Sequence, residues 1–150
     1  MDDLTDLYQE IILSHNRRPR NEGVLDPCDC QAEGFNPVCG DRITVYVSKD
    51  RDGRLEKVQF LGEGCAISRA SASIMTLQLA GTSVDEAHSK ISEIAQLLTQ
   101  EDEPEADLEM LGDLTALLGV RRFPARIKCA TLAWHAVGSA LRGESKHEER

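Results

Sequence analysis

"RITVYVSKDRDGRLEKVQFLG", residues 42–62, alternates Ile43, Val45 and Val47 with Thr44, Tyr46 and Ser48, the two-residue period of a half-buried strand. "DRDG" supplies turn residues, and Val58 and Phe60 then share one face of a second strand. Residues 42–61 therefore read as an antiparallel hairpin. Residues 24–37 are a candidate third strand.

On either side of the hairpin the period changes to that of helices. Leu4, Leu7, Ile11 and Ile12 recur at helical spacing until Pro19 and Gly23 end the run. A helix is predicted from Gly64 to about Ala80. Ser83 and Glu86 form a capping box for the next, whose buried stripe is Ala87, Ile91, Ile94 and Leu98. "LEMLGDLTALLGV" offers one or two short turns, and Pro124 opens a last helix with the stripe Ile127, Ala130, Trp134, Val137 and Leu141. The acidic "TQEDEPEAD" reads as a solvated connector, and the tail "GESKHEER" as too polar to bury and frayed. The expectation is one α+β domain over residues 1–150, with a core over about 4–142 and a polar tail over 143–150.

With 150 residues and a net charge of -9, the chain lacks the clustered cations of a nucleic-acid or anionic-membrane surface. No apolar run nears the roughly 20 residues of a spanning helix, and the acidic start lacks the plan of a signal peptide. The expected location is the cytoplasm. There Cys28, Cys30, Cys39, Cys65 and Cys129 are reduced ligands or reactive thiols rather than a disulfide frame.

Cys39 precedes the first hairpin strand and Cys65 closely follows the second, so the two belong at the same end of the sheet. Asp41 joins them, with Gly40 permitting the tight path between. Cys65 stands at a helix start, where free N–H groups favour a thiolate. Cys129 closes a tetrahedral set if the last helix brings its N-terminus to the same edge. His135 lies about 120° around that helix and about 9 Å further along, and is not a ligand of this set. Three thiolates and a carboxylate around a divalent cation leave a formal charge of about -2, which Arg126 and Lys128, with Arg122 as a third candidate, offset. Zinc and iron both suit such donors. The spacing lacks a paired C-x-x-C, so on geometry alone scattered core cysteines remain an equal alternative.

"NPVCGDRI" (36–43), "GEGCAIS" (62–68) and "GDLTALLGVRRFPARIKCATLAW" (112–134) resemble, in order, the motifs of the U-type iron-sulfur cluster assembly family, and specifically its SufU branch. "LYQEIILSHNRRPRNEG" (7–23) resembles the family's N-terminal region, and the match spans about residues 4–141. The resemblance implies a small three-stranded antiparallel sheet with helices packed on one face, and the ligands Cys39, Asp41, Cys65 and Cys129. IscU-type members carry a histidine just before the last cysteine, where this chain has Lys128, and "LGDLTALLGV" resembles a SufU-type insertion.

For this branch the resemblance implies a zinc-bound acceptor: a cysteine desulfurase of SufS type hands persulfide sulfur to Cys39, which passes it to downstream cluster assembly proteins. The alternatives are a non-enzymatic scaffold for a [2Fe-2S] cluster and, third, a structural zinc site in an interaction module. Cys28 and Cys30 fall outside the motifs and read as extra thiols on a strand or loop. His15 reads as a capping residue or, by the resemblance, a partner-facing one; His88 and His147 read as solvated, and Trp134 as core.

Overall fold

The central hairpin pairs β2 (Asp41–Lys49) with β3 (Leu55–Glu63), and Val45 faces Phe60 across it. Asp50 shapes the turn, its carboxylate accepting the N–H groups of Asp52 and Arg54 at 2.9 and 3.0 Å. In this computed structural model residues 3–100 and 112–149 are described, with side chains from residue 9 onward. The acidic connector predicted at 101–109 lies outside them.

The candidate third strand forms as β1 (Cys30–Asn36), antiparallel to β2, with Asn36 opposite Asp41. Residues 37–40 are thus a four-residue loop between two paired strands, and Cys39 rides on it.

The sheet differs from the three-stranded antiparallel expectation. A fourth strand, β4 (Lys146–Glu148), lies parallel to β1, giving the order β3-β2-β1-β4. Two forces hold the tail that its polarity marked as frayed. The unpaired edge of β1 needs backbone partners, met by Glu33 N–H to the Ser145 carbonyl and Glu149 N–H to the Phe35 carbonyl, both at 2.9 Å. Glu149 then buries its carboxylate against His135 and His147. Burial pushes this carboxyl up, but the hydrogen bond and charge of His135, followed by those of His147, outweigh it and leave the pKa lowered.

The helices are α1 (Asp3–Arg17), α2 (Ala66–Leu79), α3 (Val84–Thr99), a short α4 (Thr115–Leu118) between two single 3-10 turns, and α5 (Pro124–Leu141). Ser83 caps α3 as its sequence dictates, accepting the Glu86 N–H at 3.1 Å. Helix α5 packs on β1, β2 and α2, and Trp134, fully buried, donates its indole N–H to Ser71 at 3.0 Å. Ile43, Val45, Val47, Phe60, Leu79 and Leu132 fill the core between the sheet and the helices. No helix of the described residues is long and apolar enough to cross a membrane.

His15, which the sequence left between a cap and a partner contact, is a buried tie. Its Nδ1 lies 2.7 Å from Ser73 Oγ on α2, and its Nε2 lies 2.7 Å from Asp113 in the turn before α4. Arg20 N–H also donates to Ser73 Oγ, at 2.8 Å. One ring tautomer satisfies the whole chain: Ser73 O–H donates to Nδ1 and Nε2–H donates to Asp113.

Candidate metal centre

The turn that carries Cys39 is built by two residues. Gly40 has φ +75°, a backbone conformation that a β-carbon strongly disfavours. Asn36 closes the turn: its backbone carbonyl accepts Gly40 N–H at 2.8 Å and its Oδ1 accepts Val38 N–H at 3.3 Å. Cys39 is left exposed at the loop, and Asp41, at the first position of β2, is buried.

Cys129 arrives from the first turns of α5, 90 positions later in the chain, with its Sγ 3.4 Å from that of Cys39. The ligating atoms of Cys39, Asp41 and Cys129 all lie within 4.8 Å of one another. Tetrahedral zinc–thiolate bonds of about 2.3 Å set sulfurs roughly 3.8 Å apart, so the cluster has the dimensions of a metal site. No such pair of spacings in the sequence announces it.

Cys65 belongs to the same rim through its backbone, since its N–H donates to Asp41 Oδ1 at 2.9 Å. Its Sγ serves as the N-cap of α2, accepting the Ser68 N–H at 3.5 Å, and stands outside the three-atom cluster. A β-carbon on Gly64 would come within 2.8 Å of Asp41 Oδ1, so the absence of a side chain there is what lets the β3–α2 junction close over the carboxylate.

The electrostatics are those of a crowded anionic site. Burial pushes the Asp41 carboxyl up, yet hydrogen bonds from Cys65 N–H, Ser68, Cys129 and Asn36 outweigh it, and Asp41 is the more acidic for them. The Cys129 thiol is driven far above its ordinary range, first by burial, then by hydrogen bonds to Asp41 and Cys39 and by the charge of Cys65. Arg126 faces this set: Cys65 first, then Cys129, raise the pKa of its guanidinium. Lys128 is half-buried and makes no ion pair among the described residues.

Sequence reasoning missed Asn36. Its fully buried side chain donates to Asp41 Oδ2 at 3.4 Å and to Cys129 Sγ at 3.7 Å, touching both of the buried groups of the cluster. The signal was an asparagine directly before Pro37 in the Cys39 turn, a position suited to side-chain capping of a loop. Cys28 and Cys30 sit at the far end of β1, roughly 20 Å from Asn36 by strand rise. Cys28 contacts Gln31, and Cys30 packs partly on the core.

The class these features define is a small α+β fold whose rim gathers cysteines and a buried aspartate that could hold a metal ion. The NifU-like N-terminal domain family matches residues 7–130, and the chain belongs to that family. It is 43% identical over 141 residues to the zinc-dependent sulfurtransferase SufU of Bacillus subtilis strain 168, covering 94% of this chain and 93% of the relative. It is 40% identical to the iron-sulfur cluster assembly scaffold protein IscU of Streptococcus pyogenes serotype M1, covering 93% and 85%. Among solved structures it superimposes with a TM-score of 0.79 and 30% identity on a protein from Fervidobacterium islandicum AW-1 assigned as a cluster assembly scaffold for the SUF system, covering 88% and 94%.

Proposed function

We propose that this protein accepts persulfide sulfur from a cysteine desulfurase of SufS type at Cys39 and hands it on to iron-sulfur cluster assembly in the cytoplasm. The observation that carries this reading is an asymmetry within one site: Cys39 is exposed on a loop, while Asp41 and Cys129 beside it are buried. A partner can reach one thiol and leave its anchors in place.

Cys39, Asp41 and Cys129 would hold the zinc, with Cys65 as the fourth donor once its Sγ turns away from the Ser68 N–H it caps, and Arg126 would offset the excess negative charge. The donor set fits, because the ligating atoms of Cys39, Asp41 and Cys129 lie within 4.8 Å of one another and sulfur and carboxylate donors both suit zinc. When bound, zinc keeps the thiols deprotonated and shields them from oxidation.

The chain's own part is as follows. Cys39 thiolate attacks the outer sulfur of the desulfurase persulfide. A new S–S bond forms at Cys39, the old S–S bond breaks, and its electron pair leaves on the desulfurase cysteine as thiolate. Asn36 and Gly40 fix the loop so that Cys39 presents outward. Asp41 stays an acceptor throughout, held ionised by its four hydrogen-bonding neighbours.

The second reading is a scaffold on which a [2Fe-2S] cluster is assembled, as its IscU relatives are named. Lys128 in place of an imidazole beside Cys129 favours the acceptor, since a charged lysine cannot ligate iron.

The test is to incubate the protein with desulfurase and cysteine and map added sulfur by mass spectrometry. One extra sulfur on Cys39, absent from Cys39→Ala, is expected. Undiminished persulfide in Cys39→Ala overturns the assignment, and a coloured protein that retains a cluster after reconstitution moves the conclusion to the scaffold.

A further inference from the structure

The docking of β4 gathers a second set of ligating atoms away from the cysteine rim. His135 on α5, His147 on β4 and Glu149 just beyond β4 each offer a ligating atom, and these atoms all lie within 4.8 Å of one another. Glu149 Oε1 is 2.5 Å from His135 Nδ1 and 3.2 Å from His147 Nε2. The two imidazole rings meet edge-on, their centroids 5.2 Å apart.

We propose that His135, His147 and Glu149 form a second metal site, one that takes a borderline first-row divalent cation, of which zinc is the test case. Two imidazole nitrogens and one carboxylate are a complete set of protein ligands for a four-coordinate ion whose last position is water. With bonds of about 2.0–2.1 Å, neighbouring ligand atoms stand roughly 3.4 Å apart, close to the present His147–Glu149 separation of 3.2 Å, whereas the 2.5 Å His135–Glu149 hydrogen bond has to open for an ion to enter.

The surroundings fit that occupant. Glu149 is 7% exposed and sits between His135 and His147, which are only half-buried; an ion held by the two neutral rings would take over the positive charge that Glu149 now finds on the histidines. The Thr131 hydroxyl donates to the same Glu149 oxygen at 3.3 Å, the outer hydrogen bond that orients a ligating carboxylate. An imidazole and carboxylate set without sulfur selects zinc, nickel or copper over softer ions, a different preference from that of the cysteine rim.

The two sites are separate. His135 follows Cys129 by six residues and faces another side of α5, about 9 Å along and about 120° around. An ion there bridges α5 to the C-terminal segment and so clamps the added strand to the edge of β1.

The test uses the untagged full chain, first given one equivalent of zinc and then a second, with the histidine side-chain nitrogens followed by NMR. The imidazole signals of His135 and His147 are expected to shift and saturate with the added equivalent, and those of His15 and His88 to stay. His135→Gln and His147→Gln should each lower by one ion per chain the zinc retained at micromolar free metal. Imidazole signals of His135 and His147 that do not respond, or zinc content unchanged in both variants, overturn the site; because the NMR reads the wild-type protein, a variant that fails to fold leaves the decision to that measurement.

Discussion

The Sγ of Cys129 lies 3.4 Å from the Sγ of Cys39, so a fully buried thiol backs one that is open to solvent. In metal-free protein this pairing predicts ordered alkylation: Cys39 should react with iodoacetamide at least about ten times faster than Cys129, whose thiolate form is suppressed. Peptide mapping against time reads the order, and equal rates would mean that the buried thiol is reachable.

Asn36 joins Asp41 to Cys129 from a fully buried position. Asn36→Ala should cost about 1–3 kcal/mol of stability, because Asp41 and Cys129 each lose one buried hydrogen bond. It should also weaken metal retention about 10–100-fold, the usual effect of removing a group that orients ligands. Urea unfolding and competition with a chelator measure the two effects.

Gly64 is required by the Asp41 carboxylate rather than by its own backbone angle. Gly64→Ala must displace Asp41 or the start of α2, at a cost of about 1–3 kcal/mol. Sulfur acceptance and metal content should fall together while far-UV circular dichroism stays native. A variant with wild-type metal content would show that the junction relaxes at no cost to the site.

His15 ties α1 to α2 and to the turn before α4. Replacing it with alanine opens a cavity and strands the buried Ser73 hydroxyl, an expected loss of roughly 2–4 kcal/mol. Asp113→Asn, which keeps an acceptor at the half-exposed end, should cost much less. Denaturant midpoints of the two variants supply the comparison, and equal losses would place the weight on the Asp113 contact instead.

Local signals in the chain determined the helices, the Ser83 cap, the central hairpin and the placing of Cys39 and Cys65 at one end of it. Periodicity and capping act over a few residues, and a hairpin fixes which ends coincide, so no packing information was needed. What only the tertiary structure decided involves groups brought together by elements distant in sequence: Asn36 between Asp41 and Cys129, the Cys65 thiol turned onto its own helix, and His15 buried against Asp113. The tail is the clearest case. By composition "KHEE" belongs in solvent, yet an open strand edge supplies backbone partners and two histidines supply positive partners for Glu149, and neither is visible until α5 and β1 have been packed side by side.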